Sequence, residues 1–371
     1  SIDLPMRTQA QLRDFDAATR ALRERYLYSK VVNAEWDNQA LEIRKKITER
    51  TTDEQYFDIL LQLVKTVNDN DVTLSLPTDD APAASSSQPF VGIGVSIDTP
   101  RPGKNRVLVL AVFDDSPAAR AGIKPHDAIL RVGGRPVNGE EGAAVVGRLR
   151  GEPNSQVVLT VQTPNTAPRE VTVTRRAITS QMTTVARHVP GTNFGYILPS
   201  VSVTPDAIRG EVTQAMRKLS DGRSALDGLV LDLRLERDPK FPLADMLNLF
   251  GNGHLATQFV RERKGNKLEI TGKNVVGAQD VPLVILIGDM TSGPAETFAG
   301  ILQSLGRAKV VGNPSRGKVA IMSEVVLSNS GLQLNIPNSE YRSTQDKSWL
   351  AKYDASDKLV TGGGVQPDVK F

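Results

Sequence analysis

The sequence contains no cysteine and only three histidines. The absence of cysteine excludes disulfides, thiolate metal sites and a thiol nucleophile. His126, His188 and His254 are far apart, and none has a histidine four residues later or an acidic cluster beside it. Neither a zinc site nor a Ser-His-Asp triad is therefore indicated, and we expect no metal and no other cofactor.

Long apolar runs and clusters of like charge are also missing. No apolar run approaches the roughly 18 residues that are needed to span a membrane. The 45 lysines and arginines are interspersed with 42 aspartates and glutamates, which gives a net charge of +3. Because no basic stripe results, the sequence argues against a nucleic-acid partner.

The chain opens with Ser1-Ile2-Asp3 and not with methionine. We therefore expect a mature form from which a signal peptide has been removed. Such processing would place the protein outside the cytoplasm, in a periplasmic, envelope-associated or secreted location. The lack of cysteine is compatible with an oxidising compartment of this kind.

The first part of the chain has a helical pattern. Residues 10–67 predict two or three amphipathic helices, because apolar residues recur at three-, four- and seven-residue steps, as at Leu12, Phe15, Leu22 and Tyr26. The segment from Thr51 to Gln55 resembles a helix start, in which a capping residue precedes an acidic turn. A polar, small-residue stretch after Pro77 is typical of a linker.

The whole chain of 371 residues is too long for one ordinary core, and the part after the linker contains two further patterns. Short β-type runs broken by glycine and proline predict a small β module, and from Asn193 onward apolar strands alternate with helices, as in a mixed α/β layer. We therefore predict a multidomain α+β fold with a helical domain and linker (residues 1–88), a β module (89–177) and an α/β core (178–371).

The β module resembles a PDZ domain. Its Gly92-Ile93-Gly94-Val95 stretch is similar to the carboxylate-binding loop of that family, and residues 116–137 resemble its SPA-x-x-AG-(I/L)-KPGD block. Glycines allow backbone N–H groups to converge on a terminal carboxylate, and a strand after such a loop can pair with an incoming peptide. The resemblance implies protein C-termini as ligands. His126 occupies a position where the family block usually has glycine.

The chain on either side of this module resembles the carboxy-terminal processing (tail-specific) serine proteases. The resemblance implies a core of the ClpP/crotonase type. It rests on six blocks in one order, namely residues 193–197, 228–234, 291–296, 306–312, 316–318 and 364–368.

In such enzymes a serine at the start of a helix attacks the peptide carbonyl, and a lysine is the general base. Lys318 matches the family's catalytic lysine. The family's serine lies three residues before a glutamate and 25 residues before that lysine, and counting back from Glu296 or from Lys318 leads to Gly293. Ser292 is adjacent, but one step along a helix start turns a side chain by about 100°. Ser292 is therefore a displaced nucleophile candidate, or Ser292 or Thr291 caps a helix that begins at Pro294.

Two further segments depart from the family pattern. After Asp232-Leu233-Arg234 the family has Asn-Asn-Pro-Gly-Gly, which helps to form the oxyanion hole, and this sequence has no glycine pair there. In the segment from Asn68 to Thr73, Val72 occupies the position of a histidine that many relatives carry. We interpret Asp232 and Arg234 as a structural ion pair rather than as substrate contacts.

Two functions agree with these residues. The first is a carboxy-terminal processing endopeptidase that binds protein C-termini through its PDZ domain, with Ser292 as nucleophile and Lys318 as base. The second is an inactive pseudo-protease that keeps the fold and peptide capture and acts as a binding or regulatory protein. Partners would be protein substrates or peptide C-termini, with a possible homo-oligomer or adaptor, because the amphipathic N-terminal helices need a covering partner.

Overall fold

The computed structural model describes residues 5–76, 90–98, 105–137, 142–178, 183–200, 205–220 and 225–370. The predicted linker after Pro77 lies outside these residues. The N-terminal region contains three helices, which confirms the helical interpretation, and one short strand. These elements are α1 (Met6–Arg25), α2 (Ala34–Arg44), α3 (Asp53–Lys65) and β1 (Thr73–Ser75).

The start of α3 follows the predicted capping pattern. Thr52 is the N-cap, and its hydroxyl accepts the Gln55 N–H at 3.2 Å. The Gln55 side chain in turn accepts the Thr52 N–H at 3.0 Å, which completes a capping box.

The β module follows after the linker. Strands β4, β5, β7 and β8 coincide with the β-type runs of the sequence. Its elements are β2 (Phe90–Gly92), β3 (Val95–Ile97), β4 (Val107–Val112), α4 (Pro117–Arg120), β5 (Ala128–Val132), β6 (Arg135–Pro136), α5 (Gly142–Leu149), β7 (Gln156–Gln162), β8 (Arg169–Thr174) and β9 (Arg176–Ile178). The sheet order is β3-β4-β5-β7-β8, with β6 beside β5, and β2 pairs separately with β9.

The α/β core begins with strand β10. Its elements are β10 (Val185–His188), β11 (Phe194–Leu198), α6 (Pro205–Ser220), β12 (Gly228–Asp232), α7 (Leu243–Phe250), β13 (Gly253–Val260), β14 (Arg263–Ile270), β15 (Leu283–Ile287), α8 (Gly293–Ser304), β16 (Ala308–Gly312), β17 (Ile321–Val326), β18 (Gln333–Arg342), β19 (Lys352–Tyr353), β20 (Leu359–Thr361) and β21 (Val369–Lys370).

Two sheets organise the core. The first has the order β10-β11-β12-β15-β16-β21, and all its strands from β11 onward are parallel. Helices α6, α7 and α8 cover its apolar strands in one large cluster. The second sheet is antiparallel and joins β13, β14, β17 and β18 to β1 of the N-terminal region.

The N-terminal helices share their apolar core with the second sheet. Side chains of α1 and α3 pack with Leu327, Leu332, Leu334 and Ile336 around β18. This packing covers the apolar face from which the sequence suggested an oligomer, so that reason for expecting one no longer holds. Within the described residues, no helix is both long and apolar enough to cross a membrane.

Candidate functional site

Three loops meet at the carboxyl ends of the parallel strands β12, β15 and β16, the edge where open α/β sheets hold ligands. Glu236 follows β12, Gly293 follows β15 and Lys318 follows β16. The Ser292 N–H donates to the Glu236 carbonyl at 3.2 Å, and the Gly293 N–H donates to the Lys318 carbonyl at 2.9 Å. The structure thus brings together Gly293 and Lys318, the two positions that the sequence singled out.

Gly293 has a left-handed backbone, which glycine adopts without strain, and open space in front of it. Its φ is +64°, and a Cβ built on it would meet no atom within 4 Å. A side chain at this position would therefore project freely, although an L residue would pay about 1 kcal/mol of backbone strain. Nucleophilic serines of other folds stand on strained strand-to-helix turns of this kind.

The capping interpretation of Thr291 and Ser292 is wrong. Helix α8 begins at Gly293 rather than Pro294, and Ser292 is its N-cap by position, but its side chain makes no capping hydrogen bond. The Thr291 hydroxyl is buried and donates to the Leu233 carbonyl at 2.8 Å. It also accepts the Gly288 N–H at 3.0 Å, so it ties the loop to β12 and does not reach the helix.

Lys318 forms an ion pair that the sequence did not predict. Its Nζ lies 2.7 Å from Asp71 Oδ1 and 3.4 Å from Asn70 Oδ1. The ammonium also lies 5.6 Å from the centre of the Tyr353 ring. The hydrogen bonds that the structure gives to Nζ are thus made with the segment before β1 and not with Ser292.

Glu296 ties helix α8 to the loop that carries Lys318. Its carboxylate oxygen Oε1 accepts the Gly317 N–H at 2.7 Å and the Ser315 hydroxyl. The second oxygen, Oε2, is buried and has no partner among the described residues. Burial raises the pKa of Glu296 to about 7, although the hydrogen bonds from Ser315 and Gly317 act in the opposite direction.

The N–H groups around Gly293 are poorly placed for an oxyanion hole, which needs donors directed at the reacting carbonyl. Those of Ser292 and Gly293 already donate to backbone carbonyls. Pro294, the next residue, has no N–H. Because the sequence places Pro294 directly after Gly293, the lack of this donor could have been predicted from the sequence.

The segment that takes the place of the family's Asn-Asn-Pro-Gly-Gly begins with two buried residues and is internally bonded, whereas Arg237 and Pro239 are exposed. Leu235 is 6% exposed and Glu236 is 4% exposed. The Asp238 N–H donates to the Glu236 carboxylate at 3.0 Å, so this donor is turned back into its own loop. Burial raises the pKa of Glu236.

Asp232 and Arg234 form the ion pair that the sequence suggested. The guanidinium contacts both carboxylate oxygens, with Nε at 2.9 Å from Oδ1 and a terminal nitrogen at 2.6 Å from Oδ2. The Tyr196 hydroxyl also donates to Asp232 Oδ2, at 2.6 Å. These buried groups satisfy one another, as a structural role requires.

The predicted carboxylate-binding loop joins β2 to β3. Gly94 has a φ of +77°, and a Cβ on it would lie 2.3 Å from Ser116 Cβ, so only glycine fits without movement. The Ile93 carbonyl accepts the Ala118 N–H, and the Gly94 carbonyl accepts the Phe113 N–H, both at 2.9 Å. These bonds hold the loop against the start of α4.

Strand β3 has a free edge next to this loop. It pairs with β4 on one side, and within the described part of the chain it has no strand partner on the other. Ile93 packs in one apolar cluster with Val145 and Leu149 of α5, and half-buried Val95 packs against the same cluster. A free edge beside apolar side chains is the arrangement to which an extended peptide can add as a strand.

The β module contacts the α/β core around Tyr196. Leu110 and Ala111 of β4 share an apolar cluster with Tyr196 and Leu235. The His126 ring lies edge-on to the Tyr196 ring, with 5.8 Å between the ring centres. His126 has a φ of +73°, a left-handed conformation that favours the glycine of the PDZ block that this segment resembles.

Known proteins resemble both parts of the chain. The model of peptidase family S41 matches residues 193–371, and a PDZ domain model matches residues 108–163. The carboxyl-terminal-processing protease of Synechocystis is 31% identical over 262 residues, which cover 68% of this chain and 58% of that protein. The "Probable CtpA-like serine protease" of Staphylococcus aureus is 26% identical over 290 residues, which cover 76% of this chain and 52% of that protein.

The fold is similar to that of a solved member of the group. The structure of the photosystem II D1 C-terminal processing protease matches with a TM-score of 0.57 and 22% identity, covering 97% of this chain and 92% of that chain. The chain spans between half and three-fifths of the length of the curated relatives given above. From these matches and the shared fold, the chain belongs to peptidase family S41, the family of the carboxyl-terminal-processing serine proteases, and it carries a PDZ domain.

Proposed function

We propose that this protein captures the C-termini of other proteins in its PDZ groove and holds them without hydrolysing them. In this proposal it is a binding or regulatory member of a protease family. Its partners are protein C-termini, and its place of action is outside the cytoplasm. In this proposal the chain has the three predicted domains, namely a helical domain and linker (residues 1–88), a PDZ domain (89–177) and an α/β core (178–371).

The observation that carries the proposal is the glycine at the start of α8. Gly293 is hydrogen-bonded to the backbone of Lys318 and stands before open space, yet it offers no hydroxyl to attack a peptide carbonyl. Because Pro294 has no N–H, the residue after the nucleophile position cannot donate to an oxyanion. Loss of one such donor typically lowers kcat by about 10²- to 10³-fold.

The ion pair of Lys318 supports the same conclusion. A general base needs an uncharged amine with a free electron pair close to the nucleophile. Lys318 instead contacts the Asp71 carboxylate, and its side chain is 31% exposed. This contact supports an electrostatic role for Lys318 between two parts of the chain rather than a role in proton transfer.

The PDZ loop supports the binding half of the proposal. The left-handed backbone of Gly94 and the hydrogen-bonded carbonyls of Ile93 and Gly94 fix the loop before a ligand binds. This order lowers the entropy cost of binding. The free edge of β3 supplies main-chain partners for an extended peptide. Apolar Ile93 and Val95 favour a ligand whose last residue is apolar.

Hydrolysis by Ser292 is the second candidate, and one observation favours it. The Ser292 side chain makes no capping hydrogen bond, so its hydroxyl is available for chemistry. This candidate requires the loop to turn Ser292 towards Lys318 and the ion pair with Asp71 to open. It predicts turnover that is lost when either Ser292 or Lys318 is replaced.

Peptide binding by the full chain tests the first candidate. The probe is a short fluorescein-labelled peptide with an apolar last residue, and fluorescence anisotropy gives its Kd. Gly94→Ala places a Cβ against Ser116 and should abolish binding. The matched control is Gly122→Ala, because Gly122 has a similar φ of +75° and open space around a Cβ. Equal affinities of the two variants would reject the PDZ groove as the binding site.

A further inference from the structure

Three segments that are distant in the sequence meet around Lys318. They are residues 68–71 before β1, the loop of residues 313–318 after β16, and the tip of the β19-β20 hairpin, residues 354–358. The hairpin tip forms hydrogen bonds with both of the other segments. It therefore joins the loop that carries Lys318 to the segment that carries the partners of this lysine.

Asn70 connects two ion pairs at this junction. One terminal nitrogen of Arg316 donates to both Asp357 oxygens, at 2.7 Å and 2.8 Å. The Asn70 amide nitrogen donates to Asp357 Oδ1 at 2.6 Å, and its Oδ1 accepts from Lys318 Nζ at 3.4 Å. Because Lys318 also contacts Asp71, the two cations and the two carboxylates form one network.

The ring of Tyr353 in β19 lies beside both cations. The Arg316 guanidinium carbon is 4.9 Å from the ring centre, and Lys318 Nζ is 5.6 Å from it. The Tyr353 hydroxyl donates to the Arg316 carbonyl at 2.7 Å, and the Asn70 N–H donates to the Tyr353 carbonyl at 3.1 Å. The hairpin thus supplies an aromatic surface for the two cations as well as the Asp357 carboxylate.

The base of the hairpin is held by close backbone packing. A Cβ on Gly317 would lie 2.6 Å from Ala351 Cβ, and a Cβ on Gly362 would lie 1.9 Å from the Leu350 carbonyl oxygen. The Ala351 N–H also donates to the Gly317 carbonyl at 2.9 Å. Since the two backbones approach this closely, the base cannot separate from the loop without breaking packed contacts.

The tip of the hairpin is held differently, by polar contacts at the surface. The side chains of Asp357 and Arg316 are 58% and 39% exposed. The remaining contact is the Ala355 N–H, which donates to Asn68 Oδ1 at 3.2 Å. Ion pairs with this much exposure stabilise a structure weakly and are screened by salt. Opening of the tip therefore costs much less than opening of the base.

We propose that the tip of the β19-β20 hairpin is a salt-sensitive latch that holds residues 68–71 against the Lys318 ammonium. With the latch closed, Asn70 and Asp71 cover the amine. When the Arg316–Asp357 pair is broken, residues 68–71 loosen and Lys318 becomes accessible, while the hairpin base stays in place. The inference is independent of the proposed function, because it concerns access to Lys318 and not the capture of a peptide.

Labelling of the full chain with an amine-reactive reagent, read by peptide mass spectrometry, measures access to Lys318. At low salt Asp357→Asn should raise the labelling rate of Lys318 by about 2- to 5-fold, the range for loss of one exposed ion pair. Asparagine tolerates the φ of +59° at this position, so the tip keeps its turn. The difference from the wild type should vanish at about 1 M salt, where the screening length falls to about 3 Å.

Amide hydrogen exchange separates opening of the tip from opening of the whole hairpin. In Asp357→Asn the Ala355 N–H, which bonds to Asn68, should exchange faster than in the wild type. The Ala351 N–H, which bonds to Gly317 at the base, should exchange at an unchanged rate. Faster exchange at both amides would overturn the latch, because the hairpin would then open as a whole.

The matched control variant is Asp346→Asn, which breaks another exposed ion pair, the one with Lys264. It should leave the labelling of Lys318 unchanged. Equal labelling of Lys318 in Asp357→Asn and the wild type would overturn the proposal. The same rise in Asp346→Asn as in Asp357→Asn would also overturn it, because the effect would then not come from the hairpin tip.

Discussion

Lys318 Nζ lies 2.7 Å from Asp71 Oδ1, so a lysine of the α/β core forms an ion pair with a carboxylate that precedes the PDZ domain in the sequence. Both side chains are partly shielded, with 31% and 15% of their area exposed. The lysine that the sequence resemblance predicts as the base is thus bound to the N-terminal region.

Replacing Asp71 tests what this ion pair does. Asp71→Asn removes the charge but keeps the shape, and we expect it to lower the free energy of unfolding by about 1 kcal/mol, because the pair is half-buried. We also expect Lys318 to react faster with an amine-reactive reagent, as read by peptide mass spectrometry. The control is Asp58→Asn, which alters an exposed carboxylate of α3. Unchanged reactivity of Lys318 would show that the contact does not restrain it.

Glu296 should make the stability depend on pH. Its folded pKa of about 7 lies above its ordinary value of 4.5, so the folded state binds more protons between these values. The contribution of Glu296 to the free energy of unfolding is therefore fully present below pH 4.5 and is lost as the pH rises to about 7. We expect Glu296→Gln, which stays neutral, to gain up to about 3 kcal/mol relative to the wild type between pH 4.5 and pH 8.

Urea unfolding of both proteins across this pH range measures that gain. Glu324→Gln is the control, because Glu324 is an exposed carboxylate on β17. If the free energies of unfolding of Glu296→Gln and the wild type changed equally with pH over the whole range, burial would not raise the pKa of Glu296.

Leu235 should fix the PDZ domain to the core. It stands where the family has the first residue of its oxyanion segment, and here it shares an apolar cluster with Leu110 and Ala111 of β4. We expect Leu235→Asn to destabilise this contact by about 2–4 kcal/mol and to speed amide hydrogen exchange in β4. Leu41→Asn, at a site that is 55% exposed, should leave exchange in β4 unchanged. No difference between the variants would mean that Leu235 does not hold the domain.

His126 should make the stability depend on pH in the direction opposite to that of Glu296. Burial lowers its pKa below the ordinary 6.5, and the nearby Arg234 and Arg187 act in the same direction, against Asp232 and Asp127. The unfolded state therefore binds more protons below pH 6.5, and stability falls as the pH drops.

We expect His126→Gly to flatten this fall. At pH 8 the relief of the positive φ and the loss of the Tyr196 contact should cancel to within about 1 kcal/mol. Thermal unfolding between pH 8 and pH 5 is the measurement. A Tm that drops equally in both proteins would show that His126 does not cause the fall in stability.

The local features of the fold could be predicted from the sequence, because they depend on residues close together in the chain. The capping box at Thr52 and the strand from Phe194 to Leu198 are examples. The order of the family motifs also predicted that Gly293 and Lys318 lie together. Each follows a strand of one parallel sheet, and the carboxyl ends of such strands meet at the same edge.

Contacts between distant segments could not be predicted in this way. Nothing in the spacing of residues indicates that Asp71 reaches Lys318, which is 247 positions away. The pairing of β1 with β18 likewise joins the two ends of the chain and hides the face that suggested an oligomer. The cap at Ser292 failed for another reason, because its helix begins with a left-handed glycine and the next residue, Pro294, has no N–H to donate.

Cleavage of an unstructured protein with an apolar C-terminus would distinguish a binding protein from an active protease. It compares the wild type with Ser292→Ala, Lys318→Ala and Gly293→Ser, and Gly306→Ser is the control for strain, since Gly306 has a φ of +68° and open space for a Cβ. We expect binding without cleavage by the wild type, and no cleavage by Gly293→Ser, because Pro294 still lacks an N–H. Cleavage by the wild type that is lost in both Ser292→Ala and Lys318→Ala would contradict this expectation and establish Ser292 as the nucleophile.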